Sequence, residues 1–162
     1  MSSFAVTMAA SGDAKAVPEK FFGSFKLEKS ENFDEFLSSK GVNWFIRKMI
    51  QMTSITKQFK PATGKPGKFT AINLSRKANT EWDFTVGEEF EAQGLDGTKH
   101  KIKFDVPDEN TLTEYHLRVE MPGDTGETYY YTREGDYLIL KMENNNITCR
   151  RFFKSVPEGE AK

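Results

Sequence analysis

A single cysteine, Cys149, stands among 162 residues, so no intramolecular disulfide can form and no thiolate cage for zinc can assemble. Histidine is almost as scarce. His100 and His116 show no metal-ligand spacing of the His-x-x-x-His kind, and no nucleophile–base pair accompanies them. No catalytic residue, metal site or cofactor is therefore expected. A basic excess is missing too: the formal net charge is −1, without the electrostatic footprint of a nucleic-acid binder. No apolar run approaches the ~18–20 residues that span a bilayer. The segment Phe4-Ala5-Val6-Thr7-Met8-Ala9-Ala10 is mildly apolar but lacks the basic flank of a secretory signal. Residues 1–19 are read as an N-terminal arm or leader remnant without fixed structure.

What the chain does have is phenylalanine, 14 copies against 5 Tyr and 2 Trp. With only 37% hydrophobic residues, so many aromatics suggest a thin core, or one wrapped around something else. The length fits one domain. The expected boundaries are 20–155 for the folded unit and 156–162 for a C-terminal tail.

Alternation from Phe21 to Lys29 predicts a first strand. Ser30 is then expected to cap a short helix, with Glu31, Asp34 and Glu35 in its first turn, Phe33, Phe36 and Leu37 on one stripe, and Gly41 ending it. A second stripe, Val42, Phe45, Ile46, Met49 and Ile50, predicts another helix with Arg47 and Lys48 on its wet side. Each helix is too short to be stable alone, so both are expected to dock. Beyond Met52 the period is two. Strands are predicted over 56–60, 69–75, 80–86, 89–92, 98–106, 111–121, 127–132, 137–143 and 146–154, separated by turn signals such as Asp96-Gly97 and Gly135-Asp136. Ten strands joined by short turns hide their edges by closing. The predicted fold is all-β: an antiparallel up-and-down barrel capped by a helix-turn-helix, wide enough to enclose a ligand.

On the last strand Ile147, Cys149, Arg151 and Phe153 share one face, and Thr148, Arg150, Phe152 and Lys154 the other. Arg151 thus points inward among apolar neighbours, where an unpaired charge is costly. Either an anionic ligand, a protein carboxylate or a wet barrel end must compensate it. Pairing across Gly135-Asp136 puts Tyr129, Tyr131 and Arg133 on the same face as Leu138, Leu140 and Met142. Along 111–121, periodicity alone favours Thr113, Tyr115, Leu117 and Val119 as the inward set. Cys149 reads as a small barrel-wall thiol.

The runs Phe22-Gly23-Ser24-Phe25-Lys26-Leu27, Ser30-Glu31-Asn32-Phe33-Asp34-Glu35-Phe36-Leu37, Gly87-Glu88-Glu89-Phe90 and Cys149-Arg150-Arg151-Phe152-Phe153-Lys154, in that order, resemble the fatty-acid-binding protein family over about Lys20 to Lys154. The resemblance implies a ten-stranded β-clam with a helical portal that carries one long-chain fatty acid or similar lipid without enzymatic activity. It also implies an Arg-x-Tyr on the last strand and an earlier Arg that together hold the carboxylate. Arg151 matches the first Arg, while Phe153 stands where the Tyr would be, removing a hydroxyl worth about 0.5–1.5 kcal/mol. The earlier Arg matches Arg133 by motif, although cross-strand pairing leaves Tyr131 at that level.

The resemblance further places Phe33, Leu37 and His116 on the cavity wall, reversing the periodicity preference on 111–121; Leu140, Met142, Cys149 and Phe153 join them from the inward faces. Lys48, Arg76 and Lys77 fall at the portal, where Lys77 replaces an apolar gate. Longer segments at Pro61–Lys68 and Pro122–Gly126, with Val17-Pro18-Glu19-Lys20, resemble the larger nematode members, several of them secreted. The expectation is a monomer that works outside the cell, with the cytoplasm as the alternative and no nucleic-acid partner. The alternative function is a delivery module that touches membranes transiently through a basic portal rim of Lys40, Arg47, Lys48, Arg76 and Lys77.

Overall fold

Strand residues alternate along the chain, and in the computed structural model, which describes residues 15–158, they form one ten-stranded antiparallel sheet. The strands are β1 (Gly23–Glu31), β2 (Ile55–Pro61), β3 (Phe69–Ser75), β4 (Asn79–Phe84), β5 (Phe90–Gln93), β6 (Lys99–Asp108), β7 (Thr111–Arg118), β8 (Glu127–Glu134), β9 (Tyr137–Asn144) and β10 (Ile147–Val156). Their order, β4-β3-β2-β1-β10-β9-β8-β7-β6-β5, is a meander whose first and last strands meet across the barrel. β1 closes onto β10, with Lys26 opposite Lys154 and Ser30 opposite Arg151. The remaining gap, between β4 and β5, is spanned by the Trp82 indole N–H, which donates to the Gln93 carbonyl at 3.1 Å. A register shift between Leu27 and Lys29 adds a residue to β1, the kind of bulge that helps a sheet curve.

Between β1 and β2 lie helices α1 (Phe33–Ser39) and α2 (Trp44–Met52). Ser30 is not the cap of α1: it remains in β1, and Asn32, at φ 59°, makes the break into the helix. Strand pairing with β10 continues through Glu31 and outcompetes the capping role that sequence favoured. α1 docks as expected, burying Phe33, Phe36 and Leu37. α2 does not. None of its residues is buried, and Phe45 is 74% and Met52 85% exposed.

The lower half of the barrel is filled by aromatic rings. Phe84 stacks on Phe104 at 4.2 Å between centroids, and Phe59 meets Tyr131 edge-on at 5.5 Å. The closed end is sealed by Val17, which sequence assigned to the arm, and by Phe21, which it assigned to the first strand. Val17 is buried and Phe21, in a single 3-10 turn over Glu19–Phe21, is fully so. Residues 1–14 of the predicted arm lie outside the described residues.

Candidate functional site

Packing stops short of α1, leaving a cavity of about 290 Å³ bordered by Phe33, Phe36 and Leu37 from above, Lys57 and Trp82 on one wall, and Glu114, His116, Tyr131, Leu140, Met142 and Arg151 on the others. A largely apolar recess between α2 and the β3–β4 and β5–β6 turns shares Ile55, Leu95 and Arg151 with it. Lys77 borders this mouth. Arg76 faces a separate surface depression beside Lys26 and Asn79, and Lys48 lies over the Trp44 ring and near Asp34.

Arg151 points into the cavity as alternation predicts. Its guanidinium lies 3.8 Å from the centroid of the Phe33 ring, and its Nε donates to Ser30 Oγ at 3.0 Å. No ion pair joins it to a protein carboxylate among the described residues. Of the alternatives read from sequence, pairing with an acidic side chain is thus removed. Burial lowers the arginine to about 10, since the charged form loses hydration that one hydroxyl and a ring face do not make up.

The β7 wall corrects the periodicity reading. Leu112 and Glu114 are the buried residues there, so the polar set faces in. Alternation counts only polarity, whereas the pairing of Leu112 with Tyr131 and Glu114 with Tyr129 fixes the face. Glu114 accepts the Tyr131 hydroxyl proton on Oε1 at 2.6 Å and contacts His116 Nε2 through Oε2 at 2.5 Å. His116 Nδ1 in turn lies 2.8 Å from His100 Nδ1, and His100 Nε2 lies 2.9 Å from Asp96 Oδ1. Both imidazoles thus stand in one chain of contacts from the barrel centre to the β5–β6 turn. Glycine is required beside it, because a Cβ at Gly94 would sit 2.6 Å from His100 Nε2. Burial drives the Glu114 carboxyl upward, but His116, Lys57 and Tyr131 outweigh it and hold the group down at about 2.

Arg133 does not join this group. It donates from Nη1 to the Lys20 carbonyl at 2.7 Å and from Nε to the Gly135 carbonyl at 2.8 Å, fastening the plug at the closed end. The two-residue turn puts it two pairs beyond Leu140, opposite Leu138, which is too near the rim to reach the cavity. Tyr131 is at the expected level, with its hydroxyl already given to Glu114. Cys149 and Phe153 are fully buried on the inward face without bordering the cavity. Sequence reasoning missed Lys57, and it turned Glu114 inward only by reversing the periodicity preference, without naming it as a site residue. A lysine or glutamate inside a strand of alternating pattern was the signal available for each.

No family model matches the chain. It is 50% identical over 142 residues, 87% of this chain and 85% of the relative, to "Fatty acid-binding protein homolog 3" of Caenorhabditis elegans. It is 46% identical over 144 residues, 88% of each chain, to "Fatty acid-binding protein homolog" of Ascaris suum. Among solved structures it superposes with a TM-score of 0.84 on As-p18, described as an extracellular fatty acid binding protein, at 46% identity over 88% of this chain and 100% of the other. A Schistosoma mansoni fatty acid binding protein in complex with arachidonic acid gives a TM-score of 0.72 at 26% identity, covering 87% and 99%.

Proposed function

Because this chain belongs to the fatty-acid-binding protein family, we propose that it binds one long-chain fatty acid in the barrel and carries it, with the carboxylate at Arg151. The observation that carries this reading is a half-buried arginine bordering a mainly apolar cavity without a protein anion. An arginine fork matches a carboxylate bidentately. Affinity comes chiefly from the tail, at about 0.8 kcal/mol per CH₂ removed from water, while the head group sets orientation. The work is binding and transport, not catalysis. Titration with a fluorescent fatty acid should give micromolar or tighter binding. Arg151→Ala should weaken it about tenfold or more, and Lys77→Ala by less than twofold. Equal binding by both variants would remove Arg151 from the site.

A delivery role is supported by α2, whose exposed Trp44, Phe45, Met49 and Met52 accompany Lys48. Such a surface suits brief contact with anionic lipid. Transfer rates to vesicles should rise with acceptor concentration and anionic content; insensitivity to both would discard the role. Likeness to As-p18, described as extracellular, supports work outside the cell, and we propose that the protein acts as a monomer. Detecting the protein only inside cells, or as a dimer by sedimentation, would overturn those two points.

A further inference from the structure

We propose that Lys57 is a second cationic contact for the ligand's carboxylate, so that the cavity is a two-cation anion site with Arg151 above and Lys57 below. The proposal rests on the carrier reading and refines it.

An ammonium group has three N–H donors. Lys57 lies on β2 with its side chain inside the barrel and is 7% exposed. Its single hydrogen bond among the described residues goes to Asn73 Oδ1 at 2.8 Å. Asn73 is oriented for this because its amide donates to Thr80 Oγ1 at 3.0 Å. The remaining donors lie near two aromatic rings, 5.7 Å from the Tyr131 centroid and 5.8 Å from that of Phe153. Phe153 is two residues beyond Arg151 on β10, toward the closed end. Lys57 and Arg151 border the same cavity.

The acidic side chain that should neutralise Lys57 is Glu114, and it is engaged elsewhere. Its two oxygens are taken by Tyr131 and His116. It forms no ion pair with Lys57, its bridge being to His116. The imidazole chain running out to Asp96 therefore has a second effect: it holds the Glu114 carboxylate out of direct contact with Lys57, leaving only a longer-range attraction between them. Burial holds Lys57 below the usual lysine range, with Glu114 opposing and Arg151 adding to the shift. Two cations thus border one mainly apolar cavity, neither of them in an ion pair with a protein carboxylate among the described residues, an arrangement that favours an incoming anion over an uncharged lipid. A carboxylate has lone pairs enough to accept from a guanidinium and an ammonium together.

The test compares oleate with oleyl alcohol, which share a tail and differ in charge. Lys57→Met keeps the length of the side chain and removes the ammonium. It should weaken oleate about tenfold, equivalent to about 1.4 kcal/mol, and leave the alcohol within twofold. Asn73→Asp is the second variant: it supplies Lys57 with a carboxylate of its own at nearly constant shape. It should also weaken oleate selectively, and it covers the case in which Lys57→Met fails to fold. Oleate binding unchanged in Asn73→Asp, or loss of oleate and alcohol in parallel in either variant, overturns the proposal and leaves the carrier reading standing. Failure of the wild-type protein to bind oleate overturns both.

Discussion

Glu114 carries charge inside the barrel, and its partners decide whether that charge is tolerable. Hydrogen bonds from Tyr131 and His116 replace the water it has lost, which is why the group titrates near 2 although it is buried. A carboxyl lowered on folding contributes stability above its unfolded value, about 4.5, and that contribution disappears as pH falls toward about 2. Glu114→Gln should therefore be less stable than wild type at pH 6, with the difference narrowing at pH 3. Urea midpoints at the two pH values check this, and a difference that stays constant would mean that Glu114 is not charged in the folded protein. Sequence brought Arg151 inward through its alternation with Cys149 and Phe153. It could not assign Arg133, because a strand face says which way a side chain points and not how far from the rim it lies. Lys57 was illegible for the opposite reason, because strand patterns treat a charge as facing water; Glu114 turned inward only through the resemblance that placed His116 on the cavity wall.

At the scale of elements, the two helices show where periodicity stops being informative. The α1 stripe, Phe33, Phe36 and Leu37, finds the barrel mouth and is buried. An equally regular second stripe finds less below it: Val42 and Ile50 pack against the core, while Phe45, Ile46 and Met49 stay exposed. Polar bonds supplement the one packed edge of α2. Asp34 Oδ1 accepts from Arg47 Nε at 2.9 Å and from Gln51 Nε2 at 2.7 Å, and these bonds lower the Asp34 carboxyl, Gln51 contributing first. Arg47 also donates to the Val42 carbonyl. By contrast, α1 is fastened to the barrel by Lys40 with Glu127 and by Asn144 to Ser39. Asp34→Ala should release α2 alone. Amide exchange over 44–52 should rise severalfold and fatty-acid release should accelerate, with the α1 amides unchanged. Parallel loosening of both helices would show that they move as one lid.

Over the whole molecule, the abundance of phenylalanine has two destinations. Some rings line the ligand space under α1, and others fill the opposite half, where Phe25, Phe59, Phe84, Phe104 and Phe153 are buried beneath the cavity floor. The wrapped-core reading holds under α1, whereas the opposite half is a filled aromatic core and not a thin one. The closed end is sealed by the 3-10 turn, with Arg133 holding the Lys20 carbonyl and Lys20 reaching Asn110. Stability and binding are thereby separated along the barrel axis. Phe21→Ala should cost about 3–5 kcal/mol of folding free energy, the usual range for emptying a buried aromatic site, because Phe21 is fully enclosed. The folded fraction should still bind oleate within about twofold of wild type, since Phe21 does not border the cavity. Urea unfolding gives the first quantity, and titration well below the unfolding midpoint gives the second. If affinity fell tenfold at full foldedness, the aromatic floor would have to transmit changes at the plug to the ligand. The barrel would then be one coupled unit, and the cavity could not be altered without also altering the end that closes it.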